Sequence, residues 1–268
     1  MPEALPLCAK ALAESWRSTL GWGLGLAAAA LLYLPLYPSI GGSAQMQDLV
    51  GALPPALVKS LNYDRIASGP GYTGATLFGL IGFLLMSIAT VGWGAAAVGG
   101  DEEAGRLELT LAHAVTRAQV VLERSLALLV RVAALSALVL VLVLALNAPA
   151  QLGIETAHLL GTVVLFAGLA LLSGTAAVCA GAVTGRRSVA LGAGAAVAVL
   201  GYVFNALANQ GEDLQWLGTL SPYHWAYADS PLSNGADWGA AGLLFGLSAG
   251  LVLVGALALE RRDVGTGR

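Results

Sequence analysis

Long apolar runs separated by short polar stretches set the rhythm of this chain. Runs of about the ~20 residues needed to cross a bilayer fall at Leu20–Tyr37, Ala75–Gly99, Leu126–Leu146, His158–Ala182, Val189–Leu207 and Gly239–Leu259. They predict six transmembrane helices, the first of which carries Pro35 near its end, where a membrane helix tolerates proline. Ahead of them, residues 4–17 mix apolar and charged positions and carry Trp16, a residue favoured at headgroup level. That mixture predicts an interfacial elbow helix leading into the membrane. The fold class is therefore an all-α polytopic membrane protein, a single transmembrane domain over residues 1–268.

One stretch breaks the apolar rhythm sharply. Between the second and third runs, Gly99 to Arg117 is dense in charge, and stepping it at 100° per residue predicts an amphipathic helix over about 101–117. Ala104, Leu107, Leu111, Ala114, Val115 and Ala118 fall on one side. Glu102, Glu103, Arg106, Thr110, His113 and Arg117 fall on the other. Such a helix lies flat, its apolar stripe on the ends of the spans and its charges toward water. Amphipathicity alone suits a docking surface and an ordinary solubilising surface helix equally.

Charge placement gives the orientation. With the N-terminus inside, the inner side holds Lys10, Arg17, Arg106, Arg117, Arg124, Arg186, Arg187, Arg261, Arg262 and Arg268, the outer side only Lys59 and Arg65, and Arg131 lies within a span. Both termini and the charged island are expected to be cytoplasmic. Arg131 stands about two turns past Arg124, close enough to snorkel to the inner surface. The outer loops are unequal. The first, 38–74, holds Pro54–Leu61, which suits a short helix, and Ser68–Tyr72, which reads as a turn. The last, 208–238, is dense in aromatics over Leu214–Tyr227 and predicts a re-entrant or surface-lying element.

Composition agrees with a membrane chain: 57% of residues are hydrophobic and 11% charged, far from the roughly one quarter charged of soluble domains. Two cysteines, Cys8 and Cys179, make no disulfide framework. No removable signal peptide is expected, since a basic n-region and cleavage site are missing at the N-terminus. The Ala/Gly/Leu-rich usage points to a prokaryotic source. Small residues at Gly192–Ala196 and at Gly239, Gly242, Gly246 and Gly250 are expected to pack the spans together.

Within the island, Glu103-x-Gly105-x-Leu107-Glu108-x-x-Leu111-Ala112-x-x-Val115-x-Arg117 resembles the cytoplasmic coupling segment of ABC-2 type transporter permeases, in which members commonly read E-E-x-G-T-L-E-x-L-L-A-x-P-V-S-R. Arg106 stands where threonine is usual, Thr110 where leucine is, and Ala114 where proline is. Leu220-Ser221-Pro222-Tyr223-His224-Trp225 also resembles the L-S-P-aromatic stretch before the last span of such permeases. The resemblance implies the transmembrane subunit of an ATP-driven exporter of the multidrug or antibiotic kind, paired with a second permease chain, identical or not. Two separate ATPase subunits would carry the ATP and magnesium. It further implies ATPase-coupling roles for Glu102, Glu103, Gly105, Arg106, Leu107, Glu108, Leu111 and Arg117, with Leu107 and Leu111 seating the helix on the spans. Phe78, Phe83, Met86, Phe204 and Asn205 become candidates for a central substrate pathway, against the alternative that they face lipid or pack internally.

Chemistry of the chain's own is not expected. The two lysines, Lys10 and Lys59, are not preceded by the glycine of a phosphate-binding loop, and no H-E-x-x-H, G-x-S-x-G or C-x-x-C pattern occurs. No cofactor, metal or nucleic-acid partner is expected, only membrane lipid and the protein partners. The substrate is expected to be hydrophobic or amphipathic, a drug, an antibiotic or a lipid. A scaffold that docks a partner without transport and a self-sufficient secondary carrier are the alternatives. The second is disfavoured by the scarcity of carboxylates within the runs.

Overall fold

The computed structural model describes residues 5–40, 52, 68–112 and 115–263, which are all-helical in their regular structure. Six helices are long and apolar enough to cross a membrane. The elements are α1 (Pro6–Tyr33), α2 (Gly69–Glu103), α3 (Arg106–Leu111), α4 (Arg117–Asn147), α5 (Thr156–Thr184), α6 (Arg187–Ala208), the short α7 (Trp216–Thr219), α8 (Pro222–Tyr227) and α9 (Pro231–Asn234), and α10 (Trp238–Arg261). The expected helix at 54–61 lies outside the described residues.

The elbow at 4–17 and the first span are one helix. Nothing between Pro6 and Tyr33 breaks it, because Pro6 sits in the first turn, where its missing N–H costs nothing. At Pro35 the chain tightens into a 3₁₀ turn and continues to Ser39 rather than ending. The start of α1 is held from a distance: Glu123, buried in α4, accepts hydrogen bonds from the backbone N–H of Leu7 at 2.7 Å and of Cys8 at 3.0 Å. A carboxylate there fills orphan donors and meets the positive end of the helix.

Ser68–Tyr72, expected as a turn, opens α2 instead. Ser68 Oγ accepts from Gly71 N–H and Pro70 occupies the first turn, so the same residues that suit a turn form a helix cap. Two stretches of α2, Gly74–Ile81 and Ala96–Gly100, widen to i→i+5 geometry.

The axle of the bundle is α5. Its most apolar stretch is 83% buried, against 28% for those of α1, α6 and α10. Helix α2 crosses it with backbones nearly touching: a Cβ on Gly94 would lie 2.2 Å from Gly174 O, and one on Gly174 would meet Thr90 O at 3.1 Å. Glycine at both positions is what permits this approach. Elsewhere the small-residue expectation fails in part. Gly194 packs on Ser173, but Gly192, Gly242, Gly246 and Gly250 have open space beside them.

At one end of the bundle α8 is tucked among the spans. Ser221 caps it by accepting from His224 N–H while donating to Gly201 O, and Tyr223 donates its hydroxyl to Gly79 O at 2.8 Å. Tyr223, Ala226 and Tyr227 are buried, while Trp216 and Leu220, earlier in the same aromatic stretch, stay exposed.

Replacing Gly94 with valine forces α2 away from α5. The expected outcome is a fall of at least about 5 °C in the thermal unfolding midpoint in detergent, the scale of an overpacked core. Gly192→Ala, in open space, is expected to leave it unchanged; equal midpoints for G94V and wild type would contradict the crossing.

Candidate functional site: the charged end of the bundle

The island does not fold as one helix. Helix α2 runs on through Asp101, Glu102 and Glu103, and then Gly105 turns the chain at φ +68°, a left-handed conformation that glycine adopts without strain. Helix α3 restarts at Arg106 and ends at Leu111. Thr116 then caps α4 by accepting from Gln119 N–H, which puts Arg117 in the first turn of the third span. The 100° projection thus fails at residue 105, although Leu107 and Leu111 still turn to the core. His113 and Ala114 lie outside the described residues.

Instead, three consecutive carboxylates reach three directions. Asp101 accepts from Arg106 Nη2 at 2.7 Å and also pairs with Arg124 of α4. Glu102 takes Arg262, beyond α10, in a two-pronged pair with one contact at 2.9 Å. Its side chain is only 9% exposed. Glu103 accepts from the backbone N–H of Arg187 at 2.8 Å, at the first turn of α6. Arg117 donates to the carbonyl of Arg262 at 2.5 Å, capping the end of α10. Arg124 also donates to Ala97 O in the second widened stretch of α2.

These contacts sort the expected coupling residues into two sets. Glu102, Glu103 and Arg117 are tied to the helical bundle itself, and Leu107 is fully enclosed beneath α3 while Leu111 packs half-buried on the core. Gly105, Arg106 and Glu108 are exposed, and beside them Leu109 stands 68% exposed. Sequence reasoning missed Asp101, Arg124, Arg262 and Leu109. Arg262, counted in the sequence only among the inner-side cations, is an ion-pair partner; Leu109 was passed over because the projection was drawn through residue 105.

The pathway candidates are not brought together on one open surface. Phe78 and Met86 are fully buried, Phe78 edge-on to Phe166 at 5.4 Å between ring centres. Phe83 packs edge-on to Tyr223 at 5.1 Å and Phe204 is half-buried. Asn205 Oδ1 accepts from His224 Nδ1 at 2.9 Å. Arg131 is 8% exposed, donates Nε–H to Ala127 O one turn back toward the charged end, and stacks on Trp93 with its guanidinium 4.8 Å from the ring centre.

The sequence model of the ABC-2 family transporter protein matches residues 5–264. The chain belongs to that family. No curated protein matches it. It is thus a multi-pass membrane permease of an ABC transporter, a type that associates with an ABC ATPase subunit.

At the opposite end of this permease, burial lowers the pKa of His224 below its ordinary 6.5, with Asp229 pulling weakly the other way. The folded chain therefore favours the neutral ring. Its contribution to stability is full above about pH 6.5 and is lost as the pH falls through the lower folded value, because the unfolded chain binds the proton more readily. Unfolding midpoints measured from pH 8 to 5 are expected to decline below pH 6.5 in the wild type and more shallowly in His224→Gln; parallel curves would contradict it.

Proposed function

We propose that this chain is the permease subunit of an exporter that moves a hydrophobic or amphipathic substrate, a drug, an antibiotic or a lipid, out of a prokaryotic cell. It sits in the plasma membrane with both termini cytoplasmic, a reading that rests on the excess of Lys and Arg at the charged end. Two ATPase copies hold the ATP and magnesium, and a second permease chain, identical or related, completes the channel. The largely uncovered faces of α1, α6 and α10 support a partner chain or lipid on those sides.

The observation that carries this reading is the exposed helix α3, whose Arg106 pairs with Asp101 at the end of α2 while Glu102 and Glu103 tie that end to α10 and α6. An ATPase that grips Leu109 and Glu108 moves α3, and the pairs pass that movement to α2, α4, α6 and α10. Alternating access then follows as nucleotide binding and release swing these ends together and apart. The largely apolar interior suits an apolar cargo. Of the pathway candidates, Phe204 is the one whose side chain is left half-uncovered for such a cargo, with Asn205 next to it in the chain; Phe78 and Met86 serve packing.

Purified from its own cells in mild detergent, the chain is expected to bring a stoichiometric subunit carrying a phosphate-binding loop. Leu109→Glu is expected to lose that subunit, by about ten-fold or more in affinity, the scale of a desolvated apolar anchor, while its unfolding midpoint stays unchanged. An ATPase retained at wild-type stoichiometry by L109E would overturn the role of α3, and no ATPase at all would overturn the exporter.

A further inference from the structure

At the charged end a cavity of about 680 Å³ opens between the first turns of α1, the end of α2, α3 and the first half of α4. Six charged groups line it: Lys10, Glu14, Asp101, Arg106, Arg124 and Arg131. Four cations stand against two carboxylates, and the carboxylates are already engaged. Asp101 is shared by Arg106 and Arg124, and Glu14 lies 3.8 Å from Lys10 at the exposed mouth.

That leaves Arg131. It is more than nine-tenths buried, yet only its Nε has a hydrogen-bond acceptor among the described residues, and no carboxylate pairs with it. The nearest carboxylate along its own helix, Glu123, lies two turns back with both oxygens taken, by Gln119 and by the start of α1. The Trp93 ring lies against the guanidinium, 4.8 Å from its central carbon to the ring centre, and Arg131 lines the cavity. A buried, uncompensated arginine is costly, and an anion in the cavity removes that cost through charge-assisted hydrogen bonds.

Lys10 and Glu14 are exposed at its edge, and Arg131 stands five residues into the apolar run of α4, about 8 Å past the start of that run at 1.5 Å per residue. Leu7, Trp93 and Val115 add apolar lining. We propose that this cavity holds the phosphate of an anionic phospholipid, with Arg131 as the principal contact. Basic pockets between membrane helices recognise such headgroups. A zwitterionic lipid fits worse, because its own cation finds no free carboxylate.

The test uses the full chain in mild detergent, titrated by native mass spectrometry with phosphatidylglycerol, phosphatidylcholine and soluble glycerol phosphate. Phosphatidylglycerol is expected to bind at least about ten-fold more tightly than phosphatidylcholine, a difference of about 1.4 kcal/mol. Arg131→Gln is expected to abolish that preference, and Ala11→Phe, which fills the cavity from α1, to weaken phosphatidylglycerol binding by a similar factor. Arg186→Gln, an exposed cation outside the cavity, is expected to keep it. Should R131Q unfold, A11F decides alone. Equal binding of the two lipids, or a preference surviving in R131Q or A11F, would overturn the proposal. Glycerol phosphate displacing the lipid at equal concentration would overturn the lipid assignment and leave a site for a soluble anion.

Discussion

Three adjacent carboxylates at the end of one helix hold the charged end of this protein together. Adjacent positions on a helix point 100° apart, so Asp101, Glu102 and Glu103 cannot share a partner and instead reach α4, the end of α10 and the start of α6. Each contact closes a loop of very different length, and together they fix where three spans end relative to α2. Helix α3 follows directly, turned by Gly105. Its first residue, Arg106, shares Asp101 with Arg124 of α4.

The same logic recurs where polar groups enter the bundle. Glu123 has no cation of its own; it satisfies the first N–H groups of α1 and so places that helix against α4. Tyr223 gives its hydroxyl to a carbonyl in the widened part of α2, and Arg124 gives a proton to Ala97 O in the second widened part. In a bilayer, backbone groups freed from regular helical pairing have no water to turn to. Here side chains from other spans take them, so irregular backbone and inter-helix contact occur at the same places.

Much of this was legible in the sequence. Six apolar runs gave six spans, because the length needed to cross a bilayer is set by physics that a one-dimensional pattern records. The island and its family likeness were also plain. Its folding was not, since a projection at 100° assumes an unbroken helix and Gly105 breaks it. The partners of Glu102 and Glu103 lie 160 and 84 residues away, and no local pattern reports such a pairing. The stacking of Arg131 on Trp93, from another span, likewise has no local sequence signal.

The central claim, that the carboxylate pairs bind the charged ends of the spans into one unit, is tested most directly by a double-mutant cycle on Glu102 and Arg262. Glu102→Arg and Arg262→Glu are each expected to destabilise the permease by about 2 kcal/mol, since each leaves a like-charged pair where an ion pair was largely enclosed. The doubly exchanged chain is expected to recover most of that, a coupling of at least about 1 kcal/mol. Single variants as stable as the wild type, or losses that simply add in the double variant, would contradict the account.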